Sequence, residues 1–281
     1  MALVAVTSHP TSIHPTALVA PGAQLGQGVL IGPFCTVGAQ VVLDDGVHLH
    51  SHVVVDGHTV IGAGAIVYPF CTVGLAPQDL KYNGEPTRCE VGPRTQLREH
   101  CTIHRGTVTG TGLTHVGADC LLMAVVHVAH DCDIGDGVVI ANNVVMGGHV
   151  SIGTGAVIGG SAALHQFVRI GRGAMVGGVS GVEADVIPFG SVLGNRARLM
   201  GLNVIGLRRR GADRAAVHGL RSAVRRLFDG SDGQVFSARL AQMRATVGHE
   251  PLVAEVLAFI DAPSKRGLIR AALVPDEAEA G

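Results

Sequence analysis

The stretch LGQGVLIGPFCTVGAQVVLDDGVHLHSHVVV, residues 25–55, places an aliphatic residue at every sixth position. Counting outward by six gives an unbroken aliphatic series from Ile13 to Val73, and a second apolar series runs from Val116 to Val182. Helices repeat every 3.6 residues and strands every two, so neither produces a period of six. A parallel β-helix does, because each coil is a triangle of three short strands that point apolar residues inward. The sequence therefore predicts an all-β fold of stacked triangular coils.

The six-residue period is interrupted twice and then ends. Residues 75–90 contain proline, glycine and charged side chains, which predicts a loop outside the prism, and residues 106–115 form a shorter interruption. After about residue 190 the apolar spacing becomes helical, in three amphipathic segments. We therefore expect two domains, a β-helix over residues 1–190 with its loop at 75–90 and a helical domain over residues 191–281.

The two expected domains differ in charge. Residues 1–193 carry a net charge of −6 and residues 194–281 a net charge of +5, although the chain as a whole is at −1. Between Arg196 and Arg244, eleven arginines are accompanied by only three acidic residues. A basic segment of this kind predicts an anionic partner such as a phosphate, a nucleotide or an acidic protein. No nucleic-acid-binding motif accompanies it, so nucleic acid is not the expected partner.

Composition narrows the class of protein further. No run approaches the roughly 18 apolar residues of a membrane helix, and the opening MALVAVTSHP lacks the basic start of a secretion signal. We therefore expect a cytoplasmic protein that is not an integral membrane protein. The six cysteines show no CxxC spacing, and five of them fall on the small inward position of the hexad. This favours buried core thiols over disulfides or a zinc ribbon.

Two histidines, His127 and His130, lie in the apolar run LLMAVVHVAH, yet the hexad count places them outside the core. Eighteen residues return the chain to the same face one coil higher, so His130 is expected beneath Gly148, with His149 beside it. Asp131 follows His130 directly. Counting alone leaves four interpretations open, namely histidines that pack in the core despite their register, solvated histidines without a role, a metal site, or proton transfer by a histidine near its working pKa.

Several short motifs accompany the hexads. They are GLAPQDLKYNGEPT (74–87), TIHRGT (102–107), HVAHDC (127–132), ANN (141–143), GGHV (147–150), HQF (165–167), GVEADV (181–186), GLRRRG (206–211) and RGLIR (266–270). Together they resemble the UDP-N-acetylglucosamine acyltransferases, which begin lipid A synthesis, over nearly the whole chain. The resemblance implies a left-handed parallel β-helix with a C-terminal α-helical domain. It also implies a homotrimer with active sites in the clefts between neighbouring prisms.

The activity implied by the resemblance is transfer of an R-3-hydroxyacyl chain from acyl carrier protein to the 3-hydroxyl of UDP-N-acetylglucosamine. No metal or separate cofactor is expected, because phosphopantetheine enters as part of the acyl carrier protein donor. The acyl carrier protein is strongly acidic, which would account for the arginine-rich segment. A 3-amine on the acceptor remains an alternative to the 3-hydroxyl, because one base could serve either nucleophile.

Residue roles also follow from the resemblance. His130 is the expected general base, Asp131 would fix its tautomer, and the Gly148 N–H would stabilise the thioester oxyanion. The residues expected to bind substrate are Gln78, Asp79, Lys81, His127, His149, His165, Gln166, Asn203, Arg209 and Arg210. The residues expected to measure the acyl chain are Met175, Gly178 and Arg196. Glycine at position 178 leaves the acyl groove open, which predicts a longer acyl chain.

Two positions depart from the family pattern, and other functions compete. Ile205 stands where the family usually has a glutamate that holds the nucleoside, and Arg196 stands where histidine is common. A γ-type carbonic anhydrase would use the same prism, with zinc on His127, His130 and His149. Another hexapeptide acyltransferase or acetyltransferase, the N-acyltransferase of the same pathway and a scaffold without activity are further alternatives.

Overall fold

The chain forms the parallel β-helix expected from its hexads, with the left hand that the resemblance implies, and the computed structural model describes it over residues 10–231 and 233–271. Three sheets make the faces of a triangular prism. Away from the two interruptions, residues in register on neighbouring coils are 18 apart, as Leu30 and His48 are, so a regular coil contains three hexads. The outermost parts of the two expected domains, residues 1–9 and 272–281, lie outside the described residues, as does most of the opening MALVAVTSHP.

The strands of the prism are two to five residues long within the described ranges. The first sheet contains Ser12–Ile13, Leu30–Ile31, His48–Leu49, Ile66–Val67, Gln96–Leu97, Leu121–Leu122, Val139–Ile140, Val157–Ile158, Met175–Val176, Gly190–Leu193 and Arg198–Leu202. The second contains Leu18–Val19, Thr36–Val37, Val54–Val55, Thr72–Leu75, Thr102–His104, His127–Val128, Val145–Met146, Ala163–Leu164 and Gly181–Val182. The third contains Gln24–Leu25, Val42–Leu43, His58–Ile61, Arg88–Val91, Leu113–Val116, Asp133–Ile134, Ser151–Ile152 and Arg169–Ile170.

The core of the prism is filled by the apolar residues of the hexads. Anchors such as Leu43, Ile61 and Val128 are fully buried. All six cysteines are buried and free, including Cys89, which the small inward position did not account for. Buried thiols fill this narrow interior as small apolar side chains.

The two interruptions are shorter than the sequence indicates. The chain leaves the prism only over residues 76–87, because both ends of the expected loop at 75–90 join the ladders of their neighbouring coils. The second excursion covers residues 105–112, between Thr102–His104 and Leu113–Val116. In both places backbone pairing extends a strand beyond the two residues that the period indicates.

The first sheet continues beyond residue 190, where the hexads stop. Gly190–Leu193 pairs in parallel with Met175–Val176, and Arg198–Leu202 then pairs antiparallel with Gly190–Leu193. The antiparallel strand reverses the direction of the chain and so ends the coil. The first helix begins directly after it, at Val204.

Four helices follow in the described part of the chain. They are α1 (Val204–Arg209), α2 (Arg214–Phe228), α3 (Phe236–Val247) and α4 (Pro251–Asp261). The last three coincide with the three amphipathic segments of the sequence, whereas α1 has only six residues and is too short to show a period. Arg172 joins the prism to α4 through two 2.7 Å hydrogen bonds to Glu255. None of these helices combines the length and apolarity that crossing a membrane requires.

Candidate active site

The corner between the second and third sheets brings together His130, Asp131 and His149. Nδ1 of His130 lies 2.8 Å from Oδ2 of Asp131, and the rings of His130 and His149 meet edge to face with centroids 5.1 Å apart. The His130 side chain is 13% exposed, whereas that of Asp131 is fully buried. Because Asp131 engages Nδ1, Nε2 is the nitrogen of His130 left for proton transfer.

The Asp131 carboxylate is held by the second excursion, residues 105–112. Thr107 donates from its N–H to both oxygens at 3.1 Å and from Oγ1 to Oδ2 at 2.6 Å. Thr111 Oγ1 and the Gly112 N–H donate to Oδ1 at 3.2 and 3.0 Å. Gly110 makes this approach possible, since a Cβ there would lie 2.4 Å from the carboxyl carbon. We call residues 105–112 the carboxylate loop.

This loop sets the charge of Asp131. Burial acts to raise the pKa of the Asp131 carboxyl, but the hydrogen bonds from Thr107 and His130 outweigh burial and hold the pKa below its usual range. Asp131 is therefore ionised at neutral pH. An ionised carboxylate on Nδ1 fixes the tautomer of His130 and can stabilise its imidazolium form.

The carboxylate loop was not identified as part of the site from the sequence. Its only signal is the interruption of the hexads by GTVTGTGLTH, which indicates a loop and not a carboxylate binder. The contact between Thr107 and Asp131 joins residues 24 positions apart through the excursion's own conformation. Hexad counting cannot locate residues that have left the coil.

Gly148 lies one coil above His130, as the register predicts. A Cβ at this position would approach Cε1 of His130 to 2.5 Å, so glycine lets the imidazole pack against the next coil. In this turn the N–H groups of Gly147 and His149 donate to Leu164 and His130 carbonyls at 3.0 Å. The Gly148 N–H between them donates to no atom of the described residues, so it is available to a developing oxyanion.

A second pair of histidines joins this coil, through His127, to the coil below it, through His104. Nδ1 of His127 is 2.7 Å from Thr102 Oγ1, and the ring of His104 meets that of His127 edge to face at 5.0 Å. His104 is 7% exposed, and its Nδ1 has no hydrogen-bond partner within the described chain. Burial, followed by repulsion from His127 and His130, lowers the pKa of His104 to about 4. His104 belongs to the motif TIHRGT, but no role for it was predicted.

His165 and Gln166 occupy the next coil of the same corner. The adjoining Phe167 stacks on His149, with ring centroids 4.4 Å apart and planes at 7°. The pKa of His149 is lowered mainly by burial, while Asp131 and Asp79 act to raise it. His149 is therefore a neutral ring at pH 7, packed between His130 and Phe167.

The first excursion reaches toward this corner. Asp79 lies near enough to His149 to influence its titration, and its Oδ1 accepts a 3.0 Å hydrogen bond from the Lys81 N–H. The side chains of Gln78 and Lys81 are exposed. Tyr82 attaches the excursion to the prism, because Arg105 donates from Nε to its hydroxyl at 2.8 Å.

The expected nucleotide contacts lie elsewhere in the chain. Asn203 caps α1 by accepting from the Gly206 N–H at 2.9 Å, and its Nδ2 donates to the Gly173 carbonyl at 3.0 Å. Arg210 donates to the carbonyls of Gly155 and Gly173, at the corner between the third and first sheets. Both side chains thus have structural partners that the sequence did not indicate.

Two other side chains of α1 are exposed to solvent. The Arg209 side chain is exposed, and that of Ile205 is 67% exposed. Neither side chain lies at the corner of His130. Ile205 offers an apolar surface where the resemblance implies a glutamate that would accept hydrogen bonds.

The expected acyl-chain residues occupy a third location. Met175 lies on the first sheet, and Gly178 lies in the corner between the first and second sheets. A Cβ on Gly178 would come no closer than 3.3 Å to another atom, the Gly160 carbonyl oxygen. Arg196 is exposed in the turn before the antiparallel strand. Within one chain, the residues expected for proton transfer, for nucleotide binding and for acyl binding therefore lie at separate places on the prism.

One group of side chains has the spacing of a metal site. Ligand atoms of His130, Asp131 and His149 lie within 4.8 Å of one another in the described structure. This is not the His127–His130–His149 set of the carbonic anhydrase alternative, because His127 is directed to Thr102. Both oxygens of Asp131 already accept hydrogen bonds from the carboxylate loop, which makes the carboxylate a poor metal ligand.

The chain matches two family models. Residues 185–269 match the second domain of the UDP-N-acetylglucosamine O-acyltransferases, and residues 22–57 and 113–148 match the bacterial transferase hexapeptide repeat. The first match covers the antiparallel closing strand and the helices. The second covers coils on either side of the first excursion.

Several known proteins are similar over nearly the full length of the chain. The acyl-[acyl-carrier-protein]–UDP-N-acetylglucosamine O-acyltransferase of Azorhizobium caulinodans is 49% identical over 91% of this chain and 94% of its own length. The solved UDP-N-acetylglucosamine O-acyltransferase of Moraxella catarrhalis has a TM-score of 0.88 and 42% identity, covering 92% of this chain and 99% of that one. The UDP-N-acetylglucosamine acyltransferase of Bacteroides fragilis has a TM-score of 0.88 and 35% identity, covering 92% and 100%.

Proposed function

This chain belongs to the UDP-N-acetylglucosamine O-acyltransferase family, and on that basis we propose that it transfers an R-3-hydroxyacyl chain from acyl carrier protein to the 3-hydroxyl of UDP-N-acetylglucosamine. This reaction is the first step of lipid A synthesis. The observation that supports it is the corner in which His130 is hydrogen-bonded to a buried carboxylate beneath the free N–H of Gly148.

The proposed reaction uses His130 as a general base. A sugar hydroxyl is a poor nucleophile at neutral pH, so Nε2 of His130 removes its proton while the oxygen attacks the thioester carbonyl carbon. The new C–O bond converts the carbonyl oxygen into an oxyanion, which accepts a hydrogen bond from the Gly148 N–H. The intermediate then breaks its C–S bond, and the imidazolium returns the proton to the departing phosphopantetheine sulfur. Neither a metal nor a resident cofactor takes part in these steps.

We propose that the working unit is a homotrimer. One chain places the base, the expected nucleotide contacts and the expected acyl contacts at three different corners of the prism. A single cleft can combine them only if a neighbouring prism supplies part of the set. The side chains expected to face the cleft therefore include residues from two chains.

The acyl carrier protein is the proposed protein partner. A shallow cavity between α1 and α2 is lined by Arg208, Arg214, His218 and Arg221. These residues belong to the segment in which arginines outnumber acidic residues by eleven to three. Such a surface attracts an acidic carrier and increases its rate of association at low salt.

The decisive experiment is an acyltransferase assay, read by mass spectrometry. It combines 3-hydroxyacyl carrier proteins of several chain lengths with acceptors that carry either a 3-hydroxyl or a 3-amine. Transfer to the 3-hydroxyl acceptor is expected, with longer chains preferred because glycine occupies position 178. If neither acceptor receives an acyl chain, the proposal is refuted.

The role of His130 is tested by His130→Ala. Loss of a general base is expected to lower kcat/KM by about 10²–10⁴-fold. His115→Ala is a matched control, because His115 forms a similar 2.9 Å contact with Asp133 outside the corner of His130. A folded His130→Ala protein with a rate near that of the wild type would exclude the proposed base.

A further inference from the structure

The segment that carries the motif RGLIR returns from the helices to the end of the prism. The Asp185 N–H donates to the Gly267 carbonyl at 2.8 Å, and the Ile269 N–H donates to the Asp185 carbonyl at 2.9 Å. Ile269 is buried, and the fully buried Asp185 side chain is paired with Arg169 at 2.7 Å. The segment is therefore fixed to the prism by backbone bonds around the buried carboxylate of Asp185 and its partner Arg169.

This attachment brings Arg266 to the corner of the candidate active site. Its Nε donates to the Gln166 carbonyl at 2.7 Å, and its Nη2 lies 2.5 Å from Nδ1 of His165. One guanidinium thus holds two successive residues of the motif HQF. Arg266 is about 100 residues away in the sequence, so the hexad register gives no indication of these contacts.

The contact determines which nitrogen of His165 carries the proton. A guanidinium is always protonated in proteins and can only donate, so Nδ1 of His165 must accept. The proton of the neutral ring is then on Nε2. Nδ1 also lies 3.4 Å from the Gln166 carbonyl, which would require a proton on Nδ1, but the shorter contact to Arg266 excludes that tautomer.

We propose that Arg266 is a positioning residue that holds His165 in the tautomer whose Nε2–H is directed to an oxygen of the sugar nucleotide. The proposal rests on the proposed function for the identity of the ligand. The fixed tautomer makes His165 a permanent donor, suited to a hydroxyl or phosphate oxygen.

The tautomer can be tested without measuring catalysis. Histidine-selective ¹⁵N NMR of the full chain, assigned with His165→Gln, is expected to show Nε2–H for His165 in the wild type. In Arg266→Gln the ring is freed, so it is expected to populate both tautomers. An unchanged tautomer in Arg266→Gln would overturn the proposal.

Kinetics test the consequence for substrate binding. Arg266→Gln is expected to raise KM for UDP-N-acetylglucosamine about tenfold, with little change in kcat. Arg266→Lys keeps the charge but cannot hold both acceptors, so only part of the loss is expected to be restored. Arg270→Gln, an exposed arginine of the same segment, is the matched control.

A double-mutant cycle separates positioning from general stability. If Arg266 acts through His165, the pair Arg266→Gln and His165→Ala is expected to have no larger effect on KM than His165→Ala alone. Additive effects would overturn the proposal. If no acyl transfer occurs while the NMR result holds, the proposed function fails and the tautomer assignment stands.

Discussion

At the scale of single residues, the charge of Asp131 depends on the hydroxyl of Thr107. Thr107→Val nearly conserves volume and removes the 2.6 Å bond to Oδ2, while both backbone bonds remain. Because that bond holds the pKa of the Asp131 carboxyl down, its loss is expected to raise the pKa. On acidification, the variant should therefore lose activity at a higher pH than the wild type does. Its kcat should also fall about tenfold, because His130 is oriented less firmly.

The measurement is kcat/KM as a function of pH for Thr107→Val and for Thr109→Val. The Thr109 hydroxyl contacts that of Thr107 at 3.2 Å and does not reach the carboxylate, so its variant should keep the wild-type profile. Identical profiles for the two variants would mean that the carboxylate loop does not tune Asp131.

The outward position of His130 could be predicted from the sequence. The residues that surround its hydrogen-bond partner, Asp131, could not. Counting by six fixes the face of every residue that stays in the coil, so His130 and Gly148 are one above the other as expected. Thr107 and Arg266 reach the site from an excursion and from the C-terminal segment. Their positions depend on folding that has no periodic signal.

At the scale of elements, the turn that contains Gly148 must pass close to the ring of His130. In Gly148→Ala the added Cβ would lie 2.5 Å from Cε1 of that ring, so one of the two must move. Overpacking of this kind is expected to destabilise the protein by about 1–3 kcal/mol and to displace the general base. Activity should fall at least a hundredfold.

A cycle with His130→Ala tests the origin of that loss. If the clash is with the imidazole, Gly148→Ala should lower Tm in the wild-type background and leave it nearly unchanged in the His130→Ala background. Equal losses of Tm in both backgrounds would place the clash elsewhere.

The sequence does not predict the elements that depend on tertiary pairing. α1 and the closing antiparallel strand are two such elements.

At the scale of the whole molecule, buried histidines make stability depend on pH. The pKa of His104 is lowered to about 4 by burial, so between about pH 4 and 6.5 the unfolded chain binds a proton that the folded chain does not. Stability therefore falls as the pH is lowered through this window, by at most about 3 kcal/mol from this residue. The pKa values of His127 and His149 are also lowered by burial and act in the same direction.

His115 acts in the opposite direction and provides the matched comparison. Its hydrogen bond to Asp133 raises its pKa, so its contribution to stability is present below the unfolded pKa and is lost as the pH rises through the folded value. We expect His104→Gln to reduce the loss of unfolding free energy between pH 7 and pH 5, and His115→Gln to increase it. Denaturant unfolding at a fixed protein concentration measures both, because the difference between two pH values cancels any pH-independent effect of the substitution. If both variants shifted the pH dependence in the same direction, the assignment of opposite contributions to these two histidines would be wrong.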